Sequence, residues 1–179
     1  MLYRTQPLAW SGTTRTAFAR VFAGTDPSRD VFTSSIPSRR LLYPLAYLLD
    51  EAAFLAVSLA SKALGEESML LSVVEEFDGK DGDKARHWEL GHSFADYCHL
   101  PEVGVLENAI YSPHGSWGLM ISSEQHALLG GNAQFVETVI RQHTKWRESE
   151  AQFRVDWEWK AENYAVDISW TNELLASLH

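Results

Sequence analysis

Cysteine is almost absent from this sequence, and its scarcity excludes two kinds of architecture. The one thiol, Cys98, cannot form an internal disulfide and cannot supply a multi-cysteine zinc site. A chain without disulfides is typical of a reducing compartment. The N-terminus also lacks a basic segment followed by an apolar run, the signature of a secretory signal. We therefore expect a cytoplasmic protein.

Positive charge and catalytic motifs are scarce as well. The chain has 15 Lys and Arg residues against 24 Asp and Glu residues, a formal net charge of −9, which argues against a nucleic-acid surface. The GxSxG, P-loop, HExxH and dinucleotide-binding motifs do not occur. We expect a protein without enzymatic activity or cofactor, whose acidic field suits either a basic partner or solubility alone.

The chain does contain the apolar residues that a globular domain requires. Its 179 residues are 45% hydrophobic and include seven Trp. The hydrophobic patterns predict an α+β fold, in which a small, mostly antiparallel sheet packs against several helices in a single domain. Its predicted parts are an N-terminal arm (1–36) with a short helix (13–22), a core helix (44–64), a sheet (68–129) and C-terminal helices (132–178).

The centre of the predicted fold is a β-hairpin that leads into an amphipathic helix. A strand starts at Asn108, a tight turn covers 112–116, and two further strands cover 117–121 and 127–129. The pair Gly130-Gly131 is expected to end the last strand. Asn132 is expected to cap a helix whose apolar stripe consists of Phe135, Val136, Val139, Ile140, His143 and Trp146.

The most hydrophobic segment, 44–64, is predicted to be a core helix that does not cross a membrane. Asp50 and Glu51 lie in its middle, and they share one narrow polar face with Ser58, Ser61 and Lys62. The helical projection adds Tyr47 and Phe54 to this face. The four residues Tyr47, Asp50, Glu51 and Phe54 are therefore candidates for binding a partner, and the alternative is that another segment covers the two aromatic rings.

A hairpin with an acidic loop is predicted to follow this helix. The apolar residues of segment 68–77 fit either a helix or a buried strand, and the strand is favoured. The turn-rich loop 78–84 is expected to join it to a second strand over 86–90. Lys80 and Gly82 stand where an EF-hand requires ligands, so a calcium site is not expected. The carboxylates of this loop extend the candidate partner-binding surface: Asp78, Asp81 and Asp83.

Histidines provide the basis for an alternative, enzymatic interpretation. Strand pairing could bring His87, His92 and His99 together as metal ligands, although their spacing matches no common zinc motif. His114 and His126 are further candidates for a general base. Cys98 precedes His99, but neighbours in a strand point to opposite faces, so a buried and inert thiol is expected.

The C-terminal segment 148–164 fits two kinds of secondary structure. Its apolar and polar residues alternate as in a strand, yet its composition favours a helix that continues from the preceding one. As a helix it has apolar residues on two faces, so Trp159 is either sandwiched or exposed. A last helix is predicted over 167–178.

Two parts of the chain resemble cytosolic immunity proteins of bacterial polymorphic-toxin systems. Residues 111–135 contain a Ser-x-x-Gly-x-Trp hairpin followed by Leu-Leu-Gly-Gly-x-x-x-Phe, and residues 167–175 contain Asp-Ile-Ser-Trp and a Leu-Leu pair. The resemblance covers about the last 70 residues of the chain. It implies an acidic, non-enzymatic protein that blocks a cognate toxin, and it transfers no functional residue.

Three functions remain open from the sequence. The leading hypothesis is an immunity or inhibitor protein that occludes a basic toxin domain stoichiometrically. The first alternative is a small metal- or histidine-dependent hydrolase. The second is a structural component that forms homo-oligomers, such as a homodimer, through exposed aromatic residues.

Overall fold

The computed structural model of the chain describes residues 5–75, 86–100 and 103–178. These residues form seven strands: β1 Thr5–Leu8, β2 Ser38–Leu42, β3 Met69–Val73, β4 His87–Leu90, β5 Asn108–Tyr111, β6 Gly118–Ile121 and β7 Ala127–Gly131. They also form six α-helices: α1 Gly12–Val21, α2 Glu51–Ala63, α3 Phe94–Cys98, α4 Ala133–Gln142, α5 Ser149–Tyr164 and α6 Ser169–Ser177. A short 3₁₀ helix, Thr144–Glu148, joins α4 to α5.

The strands form one antiparallel sheet with helices on both faces. The strand order is β1-β4-β3-β5-β6-β7-β2, and every neighbouring pair is antiparallel. One apolar core lies between the sheet and α2, α3 and α4, and a second lies between the sheet and α1, α5 and α6. The predicted α+β class is confirmed. None of the helices in the described ranges has the length and hydropathy of a membrane-spanning segment.

Burial on both faces explains why the central strands are almost continuously apolar. Leu71 of β3 contributes to the core under α2, whereas its neighbour Leu70 contributes to the core under α5. The strands β3, β5 and β6 are buried along their whole length, as expected when both faces of a sheet are covered. The predicted hairpin of β3 with β4 is confirmed by their antiparallel pairing.

The prediction of a helix over all of 44–64 was wrong at its N-terminal end. Helix α2 begins at Glu51, because the side chain of Asp50 accepts a hydrogen bond from the backbone N–H of Ala53 at 2.8 Å and caps the first turn. The preceding residues are bonded elsewhere. The N–H of Leu49, for example, donates to the hydroxyl of Tyr97.

The polar face expected for α2 points partly into the protein. Ser58 and Ser61 are buried, and their hydroxyls bond to His92 and Glu66. Leu55 and Leu59 are instead 42% and 47% exposed. Helical periodicity located the polar side chains on one face, but hydrogen-bond partners from other segments brought that face inside.

The sequence-based prediction that Gly130-Gly131 ends the strand over 127–129 was also wrong. Both glycines belong to β7, where Gly131 pairs with Ser38 and Gly130 with Arg39 of the edge strand β2. Phe32 and Ile36 occupy the space that a side chain at position 130 would need. The predicted cap of α4 is confirmed, since the side chain of Asn132 accepts from the N–H of Phe135 at 2.8 Å.

The C-terminal segment is helical, as favoured from its composition. Phe153 and Trp157 of α5 are buried against the sheet, while Trp159 is 53% exposed. The predicted last helix is confirmed as α6, with Leu174 and Leu175 buried. The predicted N-terminal helix is confirmed as α1.

Candidate functional site

The four candidates around α2 do not form one exposed surface. Tyr47 is half-buried and precedes the helix, and its carbonyl accepts a hydrogen bond from the side chain of Asn108. Asp50 and Glu51 are exposed in the cap and first turn. Phe54 is fully buried and stacks on Tyr97, with ring centroids 4.9 Å apart. The alternative interpretation, that another segment covers the aromatic ring, is therefore correct for Phe54. The remaining candidates, Asp78, Asp81 and Asp83, lie outside the described residues.

The three histidines considered as metal ligands do not lie together. The sheet separates His87 from His92, and each of the two bonds to different groups. His87 lies in the core on the α1 side, where Trp10 stacks on it at 4.5 Å and the Ser72 hydroxyl bonds to Nδ1 at 2.7 Å. His92 lies against α2, with Nδ1 at 2.9 Å from the Ser58 hydroxyl and Nε2 at 3.1 Å from the Glu66 carbonyl. Burial lowers the pKa of His87 to about 4 and also lowers the pKa of His92.

The other histidines and the cysteine are equally dispersed. The Nδ1 atom of His99 is 2.5 Å from the carbonyl of Ala95 in its own helix. His114 is exposed in the turn between β5 and β6, whereas His126 is fully buried with Nε2 at 2.9 Å from the Pro27 carbonyl. Within the ranges that the structure describes, no three His, Cys, Asp or Glu side chains are arranged to hold a metal ion.

Cys98 is exposed at the end of α3, so the expectation of a buried thiol was wrong. The segment is a helix, and the strand geometry assumed for Cys98 and His99 does not apply. Partial burial is the larger cause that raises the pKa of the Cys98 thiol, and the nearby carboxylate of Glu51 raises it further. A raised pKa disfavours the thiolate that a nucleophile requires.

A buried carboxylate that the sequence did not single out accounts for the hairpin motif. Glu66 accepts hydrogen bonds from the hydroxyls of Ser61 and Ser112 and from the indole N–H of Trp117. Ser112 and Trp117 are the first and last residues of the Ser-x-x-Gly-x-Trp motif, and we call these four residues the Glu66 cluster. All four are buried, so the cluster joins the end of α2 to the hairpin of β5 and β6 and presents no reactive group to solvent.

The glycine of the same motif allows the hairpin to approach α1. Gly115 has φ +72°, and a Cβ atom there would lie 2.6 Å from Cβ of Arg20. The turn carbonyl of His114 accepts a hydrogen bond from the Arg20 guanidinium. The motif is thus explained by packing between the hairpin, α1 and α2.

An acidic groove of about 450 Å³ lies at the end of β5 and β6 that is opposite to their hairpin turn. Its lining includes four carboxylates, from Asp26, Glu75, Glu107 and Glu124. One oxygen of Glu107 accepts from the backbone and hydroxyl of Ser123, and Glu75 accepts from the backbone of Glu107. Glu107 and Glu75 therefore hold the surrounding loops together.

An apolar ridge on α5 is the most distinctive open surface of the described residues. It consists of Val155, Trp159 and Tyr164 of α5 and of Val166 just beyond its end, which are 60%, 53%, 67% and 40% exposed. Trp159 and Tyr164 pack edge to face, with ring centroids 5.4 Å apart. Phe153 and Trp157 on the opposite side of α5 are buried against the sheet, so Val155 and Trp159 remain open to a partner.

Acidic residues predominate in the segment that carries the apolar ridge. Seven acidic but two basic residues occur between positions 148 and 173. Both basic groups are engaged within the protein, since Arg154 bonds to Asn172 and the Lys160 ammonium lies 3.9 Å from the centre of the Trp157 ring. Glu158 and Glu162 are exposed and point within about 60° of Val155 around the helix axis. The ridge thus combines aromatic anchors with negative charge.

No protein-family model, curated protein or solved structure matches this chain. The similarity of residues 111–135 and 167–175 to bacterial immunity proteins therefore stays a prediction.

Proposed function

We propose that this chain is a non-enzymatic binding protein of the immunity or inhibitor type, which neutralises a basic toxin domain in the cytoplasm by occluding it stoichiometrically. The observation that carries the proposal is the apolar ridge on α5 amid acidic side chains. The proposal moves the partner-binding surface from the α2 candidates to the other side of the sheet. It leaves Asp50 and Glu51 as part of the acidic field.

The ridge supplies the two contributions that a tight protein complex needs. Trp and Tyr side chains are frequent anchors of interfaces, and a well-buried anchor contributes ~2 kcal/mol or more when measured by truncation. Glu158 and Glu162 attract a basic partner over a longer range and thereby accelerate its association. A second copy of this chain is a poorer occupant, because it would bring the same carboxylates face to face.

The decisive experiment compares two double variants that differ only in their location. V155A/W159A removes two ridge side chains at i and i+4 on α5, and L55A/L59A removes two similarly exposed side chains at the same spacing on α2. The partner is first captured from lysate of the native host and purified, and its 1:1 affinity for each variant is then measured by calorimetry. We expect V155A/W159A to bind at least about tenfold more weakly and L55A/L59A to bind like the parent protein.

The possible outcomes distinguish the surface on α5 from the surface on α2. Equal affinity of all three proteins would overturn the role of the ridge, and a loss confined to L55A/L59A would transfer the site to α2. A captured protein that is not basic, or whose association rate does not fall as salt rises, would overturn the electrostatic part. A dimer of the parent protein that V155A/W159A abolishes in light scattering would assign the ridge to self-association instead.

A further inference from the structure

A cluster of arginines occupies a groove between the edge strand β2 and helix α4. The groove has a volume of about 350 Å³. Arg40 of β2, Arg141 of α4 and Arg147 of the 3₁₀ helix line it, and Arg40 is about 100 residues away from the other two in the sequence. Ile140 of α4 is partly exposed and provides an apolar surface beside them, with the buried Val136 behind it. Such a volume is suitable for a small ligand.

The charge of this groove is opposite to that of the molecule. Across the ranges that the structure describes, the ion pairs within 4.0 Å are Arg29 with Asp26 and Arg39 with Asp30, so none of the three groove arginines is paired with a carboxylate there. Glu137 also lines the groove, which leaves a local excess of two positive charges. In a chain of net charge −9, this accumulation requires a specific reason.

Protection of an exposed sheet edge explains only part of the cluster. A charged side chain on an edge strand discourages pairing with another sheet, and this accounts for Arg40. Arg141 and Arg147 come from other elements and do not lie on the edge strand. The arginines of the groove make few hydrogen bonds. Arg141 donates to the Thr138 hydroxyl at 3.3 Å, and Arg40 donates to the Arg39 carbonyl at 2.8 Å. Each guanidinium therefore retains donors for a ligand.

We propose that the groove between β2 and α4 binds a phosphoryl group, held by Arg40, Arg141 and Arg147, with an apolar part of the ligand packed on Ile140. A phosphoryl group offers three terminal oxygens and a charge near −2, and guanidinium groups recognise it through paired hydrogen bonds. A carboxylate has two oxygens and one charge, which match three arginines less well. The group belongs either to a small organic phosphate or to a phosphorylated side chain, and this site is independent of the ridge.

The test measures binding to the full chain by calorimetry, with inorganic phosphate, phenyl phosphate and a phosphotyrosine peptide as probes. All titrations are made at one ionic strength set with sodium chloride. We expect phenyl phosphate to bind more tightly than inorganic phosphate, and R40Q/R147Q to weaken its binding at least tenfold. The control R29Q/R154Q removes the same charge from two exposed arginines outside the groove and should bind like the parent protein.

Each result has a defined meaning. Tighter binding of the peptide than of phenyl phosphate assigns the site to phosphorylated proteins, and the reverse order assigns it to small phosphates. The proposal is overturned if none of the probes binds, if R40Q/R147Q binds as tightly as R29Q/R154Q, or if succinate binds at least as tightly as phenyl phosphate. Circular dichroism confirms that the variants are folded.

Discussion

Glu66 shows how a single buried carboxyl side chain can organise neighbouring segments. Its carboxylate accepts three hydrogen bonds from groups that can only donate to it, two hydroxyls and one indole N–H. Ser112 receives further hydrogen bonds from the backbone of His114 and the hydroxyl of Ser116, so the turn is ordered around the same group. Replacing the carboxylate leaves buried donors without acceptors, and this cost exceeds that of losing an exposed ion pair.

We expect Glu66→Gln to destabilise the protein by about 3 kcal/mol, because an amide presents one acceptor oxygen and places its N–H₂ group against a donor. The measurement is the free energy of unfolding in urea at pH 7. The neighbouring exposed residue provides the control, and Glu67→Gln should leave stability nearly unchanged. Similar stabilities of the two variants would show that the Glu66 cluster does not hold α2 to the hairpin.

Strand β7 shows how the packing of a neighbouring segment determines where an element ends. Gly130 has no positive φ angle, so its backbone conformation is open to any residue. The absence of a side chain instead admits Phe32 and Ile36, which are almost fully buried. A glycine that ends a strand in the sequence-based prediction thus continues the strand in the structure, because another segment fills the space above it.

Gly130→Ala is expected to cost about 1–3 kcal/mol of unfolding free energy, since the added Cβ would lie 2.6 Å from the Phe32 ring and 2.7 Å from Ile36. Thermal unfolding of the variant measures this cost. Gly24→Ala serves as the matched control, because nothing lies within 4 Å of its added Cβ. Its expected effect has the opposite sign, a small gain from reduced freedom of the unfolded chain. Equal melting temperatures for the two variants would contradict the packing argument.

The response of the whole molecule to acid follows from histidines on both sides of the sheet. Burial lowers the pKa values of His87, His92 and His126 below their ordinary value of 6.5, so the folded state disfavours their protonated forms. The unfolded chain therefore binds more protons below pH 6.5, and stability falls as the pH falls through this window. Above pH 6.5 the stabilisation from the neutral imidazoles is fully present.

For His87 the lost stability should reach about 3 kcal/mol near pH 4, its folded-state pKa, because each unit of pKa shift corresponds to about 1.4 kcal/mol. We expect His87→Gln to flatten the dependence of unfolding free energy on pH between 6.5 and 4, measured by urea denaturation at several pH values. The control Trp88→Phe changes a half-buried neighbour in β4 but no titratable group, so it should keep the parent slope. If His87→Gln shows the same dependence of unfolding free energy on pH as the parent protein, the loss of stability in acid does not come from His87.

The sequence by itself determined the elements whose signals are local. Asn132 as a helix cap, the apolar residues of α4 from Phe135 to Ile140 and the apolar strand β5 all rest on neighbours a few residues apart. Such signals reflect backbone capping and burial of one face, and they do not depend on distant segments. The α+β class follows from them.

Tertiary structure decided whatever depends on a distant partner. Edge strand β2 carries two arginines and became recognisable only through its pairing with β7, and Ser58 and Ser61 turned inward only because His92 and Glu66 meet them there. The exposure of Trp159 was undetermined in the sequence, since α5 has apolar residues on two faces and the sheet covers one of them. The arginine groove likewise joins side chains from three elements, and local periodicity contains no information about such a meeting.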